Sequence, residues 1–187
     1  MRIVGGKWRG RGLARLSNTV VMETLRPTMD RVRETLFNVL QHGDFSTLRD
    51  ARVLDLFSGT GALGLEALSR GAKRVSFVDK EQTSLKLVKK NIMLLQADKQ
   101  VTILNRDATN LSRNIGKSFD LIFLDPPYGK GLGELAVCSA LNGNWISKDA
   151  TIVWEESAEI NPPNELYLVK SKSIGSISLN FLKHSEN

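Results

Sequence analysis

Short apolar runs bounded by turn residues recur from residue 52 to the end of the chain, and each predicts a β-strand. Between most of them the apolar positions return at helical spacing, most clearly over Glu81–Leu95, whose lysines fall on the outer side. This alternation predicts an α/β fold with a mostly parallel sheet covered on both faces. The last two strands leave no room for a helix and should form an antiparallel hairpin. The predicted strands are Arg52–Phe57, Arg74–Val78, Val101–Asn105, Phe119–Leu124, Thr151–Glu155, Leu166–Lys172 and Ile177–Leu182.

The first part of the chain has a different pattern, in which glycines and arginines interrupt the apolar positions. Arg2–Val4 and Gly12–Leu16 lie on either side of Gly-rich turns and predict a β-hairpin. Arg26-Pro27-Thr28 interrupts the pattern again, with Thr28 as the cap of a following helix. That helix is expected from about Asp30 to Gln41, with its apolar residues largely on one face.

The charge of the chain is concentrated in this first part. The net charge is +6, and residues 1–33 carry all of the excess, because the remaining residues sum to zero. A run of charge is commonly only a solvated face, but here glycines and Trp8 alternate with the basic residues, which suits contacts with phosphates and bases. Packing inside the hairpin is an equal alternative for Trp8. The predicted nucleic-acid contacts are Lys7, Trp8, Arg9, Arg11, Arg26, Thr28, Arg31 and Arg33. We predict a basic hairpin extension over 1–24 and a main domain over 25–187.

Composition excludes several classes of protein. A chain of 187 residues with one cysteine forms one domain of ordinary size and no internal disulfide. Two histidines and no Cys-x-x-Cys pair argue against a structural zinc site, so no metal is expected. No apolar run reaches the length of a membrane span, and arginines interrupt the N-terminus where a signal peptide would need an apolar core. We expect a soluble, cytoplasmic protein, with a monomer as the default.

A glycine-rich turn follows the first predicted strand, in the run from Asp55 to Gly64. Its glycines allow a sharp turn and close approach of a ligand, and a helix N-terminus near Gly61 offers free N–H groups. The spacing also satisfies G-x-G-x-x-G, the pattern of dinucleotide sites, which is a weak signal alone. Asp55 would repel a pyrophosphate, whereas it suits a ligand with a cationic amine.

Two further strands end in acids that could hold the rest of such a ligand. Asp79 is placed to accept hydrogen bonds from ribose hydroxyls, and Asp107 from an adenine amino group. The alternative for both is an N-cap ahead of a helix. A ligand with an amino-acid end and an adenosine end fits the whole set, and S-adenosylmethionine is that ligand.

Asp125-Pro126-Pro127-Tyr128 follows the fourth strand and offers acceptors without nearby donors, because the two prolines have no N–H. The Asp125 carboxylate and the Pro126 carbonyl can hold both hydrogens of a planar amino group, while the Tyr128 ring lies against the attached heterocycle. The alternative is a turn that merely ends a strand. Beside the glycine turn, the first reading predicts chemistry on the exocyclic amine of a nucleobase.

At this point the chain resembles a known family. The run Asp55-Leu-Phe-Ser-Gly-Thr-Gly-Ala-Leu-Gly-Leu-Glu-Ala-Leu-Ser-Arg-Gly-Ala72 followed by Asp-Pro-Pro-Tyr is similar to bacterial small-subunit ribosomal RNA guanine-N2 methyltransferases of the RsmD type. Arg2-Ile-Val-Gly-Gly-Lys-Trp-Arg-Gly-Arg11 and Leu25-Arg-Pro-Thr-Met-Asp-Arg-Val-Arg-Glu-Thr-Leu-Phe37 strengthen the resemblance, which covers nearly the whole length. The family usually has glutamate in place of Asp79, and a Tyr-Gly pair near Ser173-Ile174-Gly175.

The resemblance implies a class I methyltransferase fold (Rossmann-like), with a seven-stranded sheet whose last strand is reversed. It implies transfer of a methyl group from S-adenosylmethionine to N2 of a guanine in 16S ribosomal RNA, at position 966, on an assembled or assembling small subunit. The expected catalytic residues are Asp125, Pro126 and Tyr128. The expected cofactor-binding residues are Asp55, Phe57, Ser58, Gly59, Thr60, Gly61, Asp79, Lys80, Asp107, Ala108 and Asp125.

Two other functions stay open on the residues alone. Adenine N6 and cytosine N4 in DNA make the same demands on an acceptor site, although the chain has no room for a separate DNA-recognition domain. A non-catalytic RNA-binding assembly factor could also keep the fold. The intact Asp-Pro-Pro-Tyr motif argues against that second alternative.

Overall fold

The computed structural model describes residues 1–15, 21–43, 45 and 48–185, with the backbone alone for residues 21–28. All seven predicted strands are present, and four helices accompany them in this part of the chain. The strands are β1 Arg52–Leu56, β2 Arg74–Asp79, β3 Val101–Asn105, β4 Phe119–Leu124, β5 Ile146–Glu156, β6 Leu166–Ile174 and β7 Ile177–His184. The helices are α1 Val21–His42, α2 Ala62–Ser69, α3 Gln82–Leu95 and α4 Leu132–Asn142, with 3-10 turns at Gly6–Trp8 and Asp98–Gln100.

The strands form one sheet in the order β3-β2-β1-β4-β5-β7-β6. Neighbouring strands from β3 to β5 are parallel, whereas β7 is antiparallel to both β5 and β6. The predicted hairpin and reversed final strand are therefore confirmed. Strand order turns back between β1 and β4, and the carboxyl ends of these strands are where an open α/β sheet binds its ligands.

Helices cover both faces of the sheet, each over its own apolar core. On one face α1, α2 and α3 pack against alternate residues of the strands, with the rings of Phe37 and Phe123 edge to face at 5.7 Å. On the other face α4 packs against the fully buried Trp154. Glycine is required at the contact, because a Cβ on Gly133 would lie 2.3 Å from the Trp154 ring.

Two predictions for the N-terminal part differ from the structure. The expected hairpin is not confirmed as a pair of strands: one antiparallel bridge joins Arg2 to Gly12, and backbone bonds flank it from Ile3 N to the Arg11 carbonyl at 2.9 Å, from Gly10 N to the Ile3 carbonyl at 2.9 Å and from Leu13 N to the Met1 carbonyl at 3.1 Å. Leu16, the expected end of the second strand, lies outside the described residues. The helix begins at Val21 rather than Asp30, so the boundary expected between residues 24 and 25 falls inside α1. The stretch before Pro27 contains Met, Glu, Leu and Arg, which are good helix formers.

Tertiary contacts, in addition to this short antiparallel pairing, hold residues 1–15, which we call the N-terminal segment. Ile3 and Leu13 are buried in the main core. The Val4 and Trp8 amides donate to Glu66 and Ser69 of α2 at 2.8 and 2.9 Å. The segment therefore lies along α2 and is part of the folded domain.

Candidate active site at the carboxyl ends of the strands

The glycine-rich turn after β1 leaves its outer surface open. Phe57, Gly59 and Gly61 have positive φ angles of 61°, 53° and 77°. A Cβ on Gly59 would meet only the Phe57 carbonyl, at 3.9 Å, so a ligand can approach the backbone there. Thr60 lies in this turn, and its hydroxyl is 3.3 Å from the Met1 sulfur.

Asp55 lies beneath this turn and is 2% exposed. One of its oxygens accepts the Gly64 N–H at 2.9 Å, which ties the strand to the first turn of α2. Burial raises the pKa of Asp55 to about 8, against the lowering effect of that hydrogen bond and with a smaller contribution from Asp79. A cationic group on a ligand would favour the ionised form of Asp55 and offset the effect of burial.

Asp79, at the end of β2, also contacts the turn. Its two oxygens accept the N–H groups of Gly59 and Glu81, each at 2.9 Å. Asp79 thus supports the turn and lies beside the open surface at Gly59. Each oxygen keeps a further lone pair for a ribose hydroxyl. Lys80 follows it and is exposed.

Asp107 follows β3, and the expectation that it precedes a helix is wrong. Its Oδ1 accepts both the Thr109 N–H at 2.9 Å and the Thr109 hydroxyl at 2.7 Å, forming a local turn in the loop before β4. These bonds lower the pKa of Asp107, with a smaller contribution from Lys80, whose Nζ is 3.5 Å away. Ala108 is buried behind it.

The corner after β4 borders the glycine turn, as the sequence predicts. Pairing of β1 with β4 sets Leu56 beside Leu124, so Asp125 begins one residue beyond the paired region. Asp125 is half-buried, and in the described part of the chain no hydrogen bond is made to its carboxylate. Burial raises its pKa well above the ordinary value, and the nearby charges of Glu155, Asp55 and Glu156 raise it further.

Two acids at the end of β5 belong to this site, and sequence reasoning gave them no role. Glu155 and Glu156 are 9% and 8% exposed. The Tyr128 hydroxyl donates to Glu155 Oε1 at 2.7 Å. Burial raises the pKa of Glu155, although this bond opposes the rise, and burial also raises that of Tyr128. The rule that found Asp55, Asp79 and Asp125, an acid at a strand end, would have found Glu155 as well.

The predicted nucleic-acid contacts do not lie together. The turn with Lys7 and Trp8 lies beside Ser69 and Gln100. These residues are at the amino ends of the strands, whereas the glycine turn is at the carboxyl ends. Met1 and Ala14, near the two ends of the segment, lie on the side of the glycine turn: Met1 contacts Thr60, and Ala14 bonds Asn91, which also donates to the Thr60 carbonyl. The Lys7 Nζ is 4.1 Å from the centre of the half-buried Trp8 ring. Arg9, Arg11 and Arg31 are exposed, whereas the side chains of Arg26 and Thr28 lie outside the described residues.

Arg33 is not available for a phosphate, so its prediction is corrected. It is 5% exposed, and its guanidinium donates to the Arg2 carbonyl at 2.9 Å and pairs with Asp30. The same Asp30 also pairs with Arg2 at 3.3 Å. The buried cation therefore holds the N-terminal segment against α1.

The residues of the site fit S-adenosylmethionine in kind and position. Ser58 Oγ is buried in the glycine turn and has no hydrogen-bond partner among the described residues. Asp55 lies near the end of β1, Asp79 is the last residue of β2 and Asp107 follows β3, which spreads the acceptors along the carboxyl ends of three neighbouring strands. Among the described residues no group of three or more His, Cys, Asp or Glu side chains is arranged to hold a metal ion. No helix in the same ranges is long and apolar enough to cross a bilayer.

Comparison with known proteins agrees with this geometry. Residues 1–183 match the family described as conserved hypothetical protein 95. Ribosomal RNA small subunit methyltransferase D of Haemophilus influenzae is 36% identical over 95% of this chain and 91% of its own length. The Escherichia coli protein of that name is 37% identical over 87% of this chain and 78% of its own length.

A solved structure extends the agreement to the fold. The methyltransferase yhhF from Escherichia coli superposes with a TM-score of 0.83 at 31% identity, covering 98% of this chain and 97% of that one. The predicted class I methyltransferase fold is therefore confirmed. The chain belongs to the RsmD family of ribosomal RNA small subunit methyltransferases.

Proposed function

We propose that this protein transfers a methyl group from S-adenosylmethionine to the exocyclic N2 of a guanine in 16S ribosomal RNA. One observation carries the proposal: the Asp125 carboxylate and the Pro126 carbonyl lie at a strand end that adjoins the glycine turn. An acceptor corner for an amine and a cradle for an adenosyl ligand thus share one edge of the sheet. Relatives named as ribosomal RNA small subunit methyltransferases support the RNA as substrate.

The chain's own residues would hold the cofactor in a fixed direction. Asp55 would face its ammonium group, Asp79 its ribose hydroxyls, and the loop at Asp107 and Ala108 its adenine. Ser58 would gain the partner that it lacks. When bound, S-adenosylmethionine supplies a methyl group already activated by its sulfonium charge.

The Asp125 carboxylate and the Pro126 carbonyl would lower the barrier mainly by positioning the amine. The lone pair of the guanine N2 is delocalised into the ring, so the amine is a weak nucleophile. Asp125 and the Pro126 carbonyl accept its two N–H bonds and direct the lone pair outward, and alignment of this kind can supply about 7–11 kcal/mol of a barrier. Positive charge grows on the nitrogen as the N–C bond forms and the S–C bond breaks. A neighbouring carboxylate stabilises that charge most in the transition state, and the nitrogen then loses a proton.

The target base must leave its stack to reach this corner, which costs about a few kcal/mol in a duplex and less in a loop. We propose that the exposed Arg9, Arg11 and Arg31 contact phosphates of the substrate. The family resemblance assigns the target to guanine 966. We further propose that the protein acts as a monomer, on an assembled or assembling small subunit.

Transfer of labelled methyl to 16S RNA, small subunits and DNA tests this proposal. We expect label on RNA alone, at one guanine, and the same nucleotide unmethylated in RNA from cells that lack the protein, as read by mass mapping. Label on DNA alone would support methylation of adenine N6 or cytosine N4 instead. Label on none of the substrates, with RNA still bound, would support the non-catalytic assembly factor.

A further inference from the structure

The ends of β4 and β5 place two carboxylates side by side. Leu124 pairs with Trp154, so the next residues, Asp125 and Glu155, lie abreast on strands about 4.8 Å apart. Side chains of adjacent parallel strands in register point to the same face. Asp125 and Glu155 therefore face the same space, on the face where α1 covers Phe123.

One carboxylate oxygen of Glu155 accepts a hydrogen bond, and the other has no donor among the described residues. Its side chain is nine-tenths buried, and the Tyr128 hydroxyl donates to Oε1 at 2.7 Å. Across the described ranges no donor bonds to Oε2. Among the described residues Oε2 is not one of the buried side-chain atoms that lack a partner, so it keeps contact with solvent and is open to a donor. We take this open acceptor beside the amine-binding corner as the place for a donor that arrives with the substrate.

The chemistry of the bases identifies that donor. In guanine the ring atom next to the exocyclic amine, N1, carries a hydrogen and donates. In adenine and cytosine the corresponding ring nitrogen has a lone pair and accepts. A carboxylate beside the amine acceptors attracts the first arrangement and repels the second, and a site built for an N–H rejects an analogue that lacks it.

We propose that Glu155 determines base specificity by accepting the N1–H of guanine while Asp125 and the Pro126 carbonyl hold the N2 amine. This inference rests on the proposed function and assigns a specificity role to a residue that the Asp-Pro-Pro-Tyr motif does not include. Tyr128 fixes which oxygen faces the base, because it occupies the other one. Asp125 alone would serve any planar amine, and the second carboxylate selects guanine.

A base analogue tests this role. In 2-aminopurine the 2-amino group is kept and N1 becomes an acceptor, so it can be placed by splinted ligation at the mapped nucleotide of the small-subunit RNA. In Glu155→Gln the Tyr128 hydroxyl should hold the amide oxygen and leave the NH2 facing N1. We expect the guanine to 2-aminopurine ratio of kcat/KM to fall by about tenfold or more relative to wild type, the size of one charged hydrogen bond.

Two further variants separate specificity from general damage. Glu156→Gln removes the same charge one residue along, where the side chain alternates to the other face and Oε1 accepts the Ser157 N–H at 2.9 Å, and it should leave the ratio unchanged. The double variant Tyr128→Phe with Glu155→Gln frees the amide to turn, and it should recover part of the preference for guanine.

The outcomes distinguish the two proposals. If wild type methylates guanine and Glu155→Gln leaves the ratio at the wild-type value, Glu155 does not read N1 and the proposed function stands. An equal shift in Glu156→Gln would also overturn the role of Glu155, since a general loss of charge would explain it. If wild type methylates no guanine in any RNA, both proposals fail.

Discussion

Acidic side chains that are wholly or partly removed from solvent occur in two regions of the molecule, and the two regions differ in the partners they offer. Glu66, beneath the N-terminal segment, is completely buried, and its oxygens accept from the Arg70 guanidinium at 2.7 Å and the Val4 amide at 2.8 Å. Asp125 and Glu155 lie side by side on the same face, at the carboxyl ends of β4 and β5. Of the described residues only Tyr128 donates to this pair.

Under the proposed function, this difference separates an acid that stabilises the fold, Glu66, from acids that act on the substrate, Asp125 and Glu155. A buried charge is costly unless it is paired, and Glu66 is paired within the fold. Burial, together with the nearby charges of Glu155, Asp55 and Glu156, raises the pKa of Asp125 well above its ordinary value. Such a group persists where a ligand or a reaction uses it. Removing Glu66 should therefore cost stability, and removing Asp125 should cost activity.

Asp125→Ala should have the largest effect among the variants that test this difference between Glu66 and Asp125. We expect transfer to fall about 10²–10³-fold, as when one group that stabilises transition-state charge is removed, with the cofactor Kd within a few-fold of wild type. The temperature of unfolding should not fall, since the half-buried carboxylate that is removed has no hydrogen-bond partner among the described residues. Asp120→Ala is the matched control, because Asp120 lies at the other end of β4, where it accepts the Arg52 N–H at 2.8 Å. Loss of cofactor binding in Asp125→Ala would show that Asp125 serves the cofactor and not the amine.

Glu66→Ala tests the role in stability that we assign to Glu66. It leaves the Arg70 side chain, 8% exposed, without its carboxylate, and breaking a buried pair in this way costs about 3–5 kcal/mol. We expect a lower free energy of unfolding in urea titrations, with kcat of the folded fraction close to wild type. Glu34→Ala, on the exposed face of α1, should change stability little. A loss of kcat without a loss of stability would contradict the assignment.

The pKa of Asp55 predicts a pH dependence of cofactor binding. With a pKa of about 8, Asp55 is mostly protonated at pH 7 in the free protein, and an arriving ammonium group favours the ionised form. Binding should therefore release a proton, and affinity should rise with pH up to about 8, by at most about tenfold per unit. Calorimetry in buffers of different ionisation heat measures this release.

The Asp55→Asn variant is the control. It should abolish proton release and keep the bond from Gly64 N. Because the folded pKa of Asp55 lies above the unfolded one, its contribution lowers the stability of the free protein as pH rises from about 4 to 8. The variant should flatten that decline. No proton release by wild type at pH 7 would contradict the role given to Asp55.

The smallest effects are expected in the N-terminal segment. Arg9→Ala and Arg11→Ala should each weaken RNA binding a few-fold and reduce the slope of log K against log salt by about 1, with no change in unfolding temperature because both side chains are exposed. Lys148→Ala, exposed near the start of β5, is the control for a general loss of charge. Unchanged slopes in both arginine variants would mean that this basic run is only a solvated face.

The central strands were predictable from the sequence because strands buried on both faces, such as β1 and β4, are short, continuous apolar runs. The main boundary error is in β5, which begins at Ile146 and not Thr151. Lys148 and Asp149 interrupt the apolar pattern there, and the pairing of β4 with β5 is irregular between Phe119 and Leu121. Charged residues at an exposed strand end look like a loop when only local pattern is available.

The N-terminal segment shows what local pattern cannot supply. Glycines and arginines gave it the composition of a separate extension, yet Ile3 and Leu13 are core residues, and Arg33 is a buried cation. Whether an arginine is solvated or paired depends on partners that are distant in the chain. At the candidate site the motifs located Asp55 and Asp125, whereas Glu155 ends a predicted strand without belonging to a motif, and only the pairing of β4 with β5 places it beside Asp125.

Asn91 of α3 makes the segment and the glycine turn depend on each other. Its side chain is completely buried, bonding the Ala14 N–H at 2.6 Å, the Ala14 carbonyl at 3.1 Å and the Thr60 carbonyl at 2.9 Å. A protein shortened by its first 15 residues would leave half of this amide without partners, next to the wall of the cofactor cradle. We expect such a truncation to weaken S-adenosylmethionine binding in the absence of any RNA, as measured by equilibrium dialysis of the shortened chain. An unaltered Kd would show that the bonds of Asn91 to Ala14 and to Thr60 act independently. The N-terminal segment has the composition of a separate substrate-binding extension, yet through Asn91 it supports the wall of the proposed cofactor site.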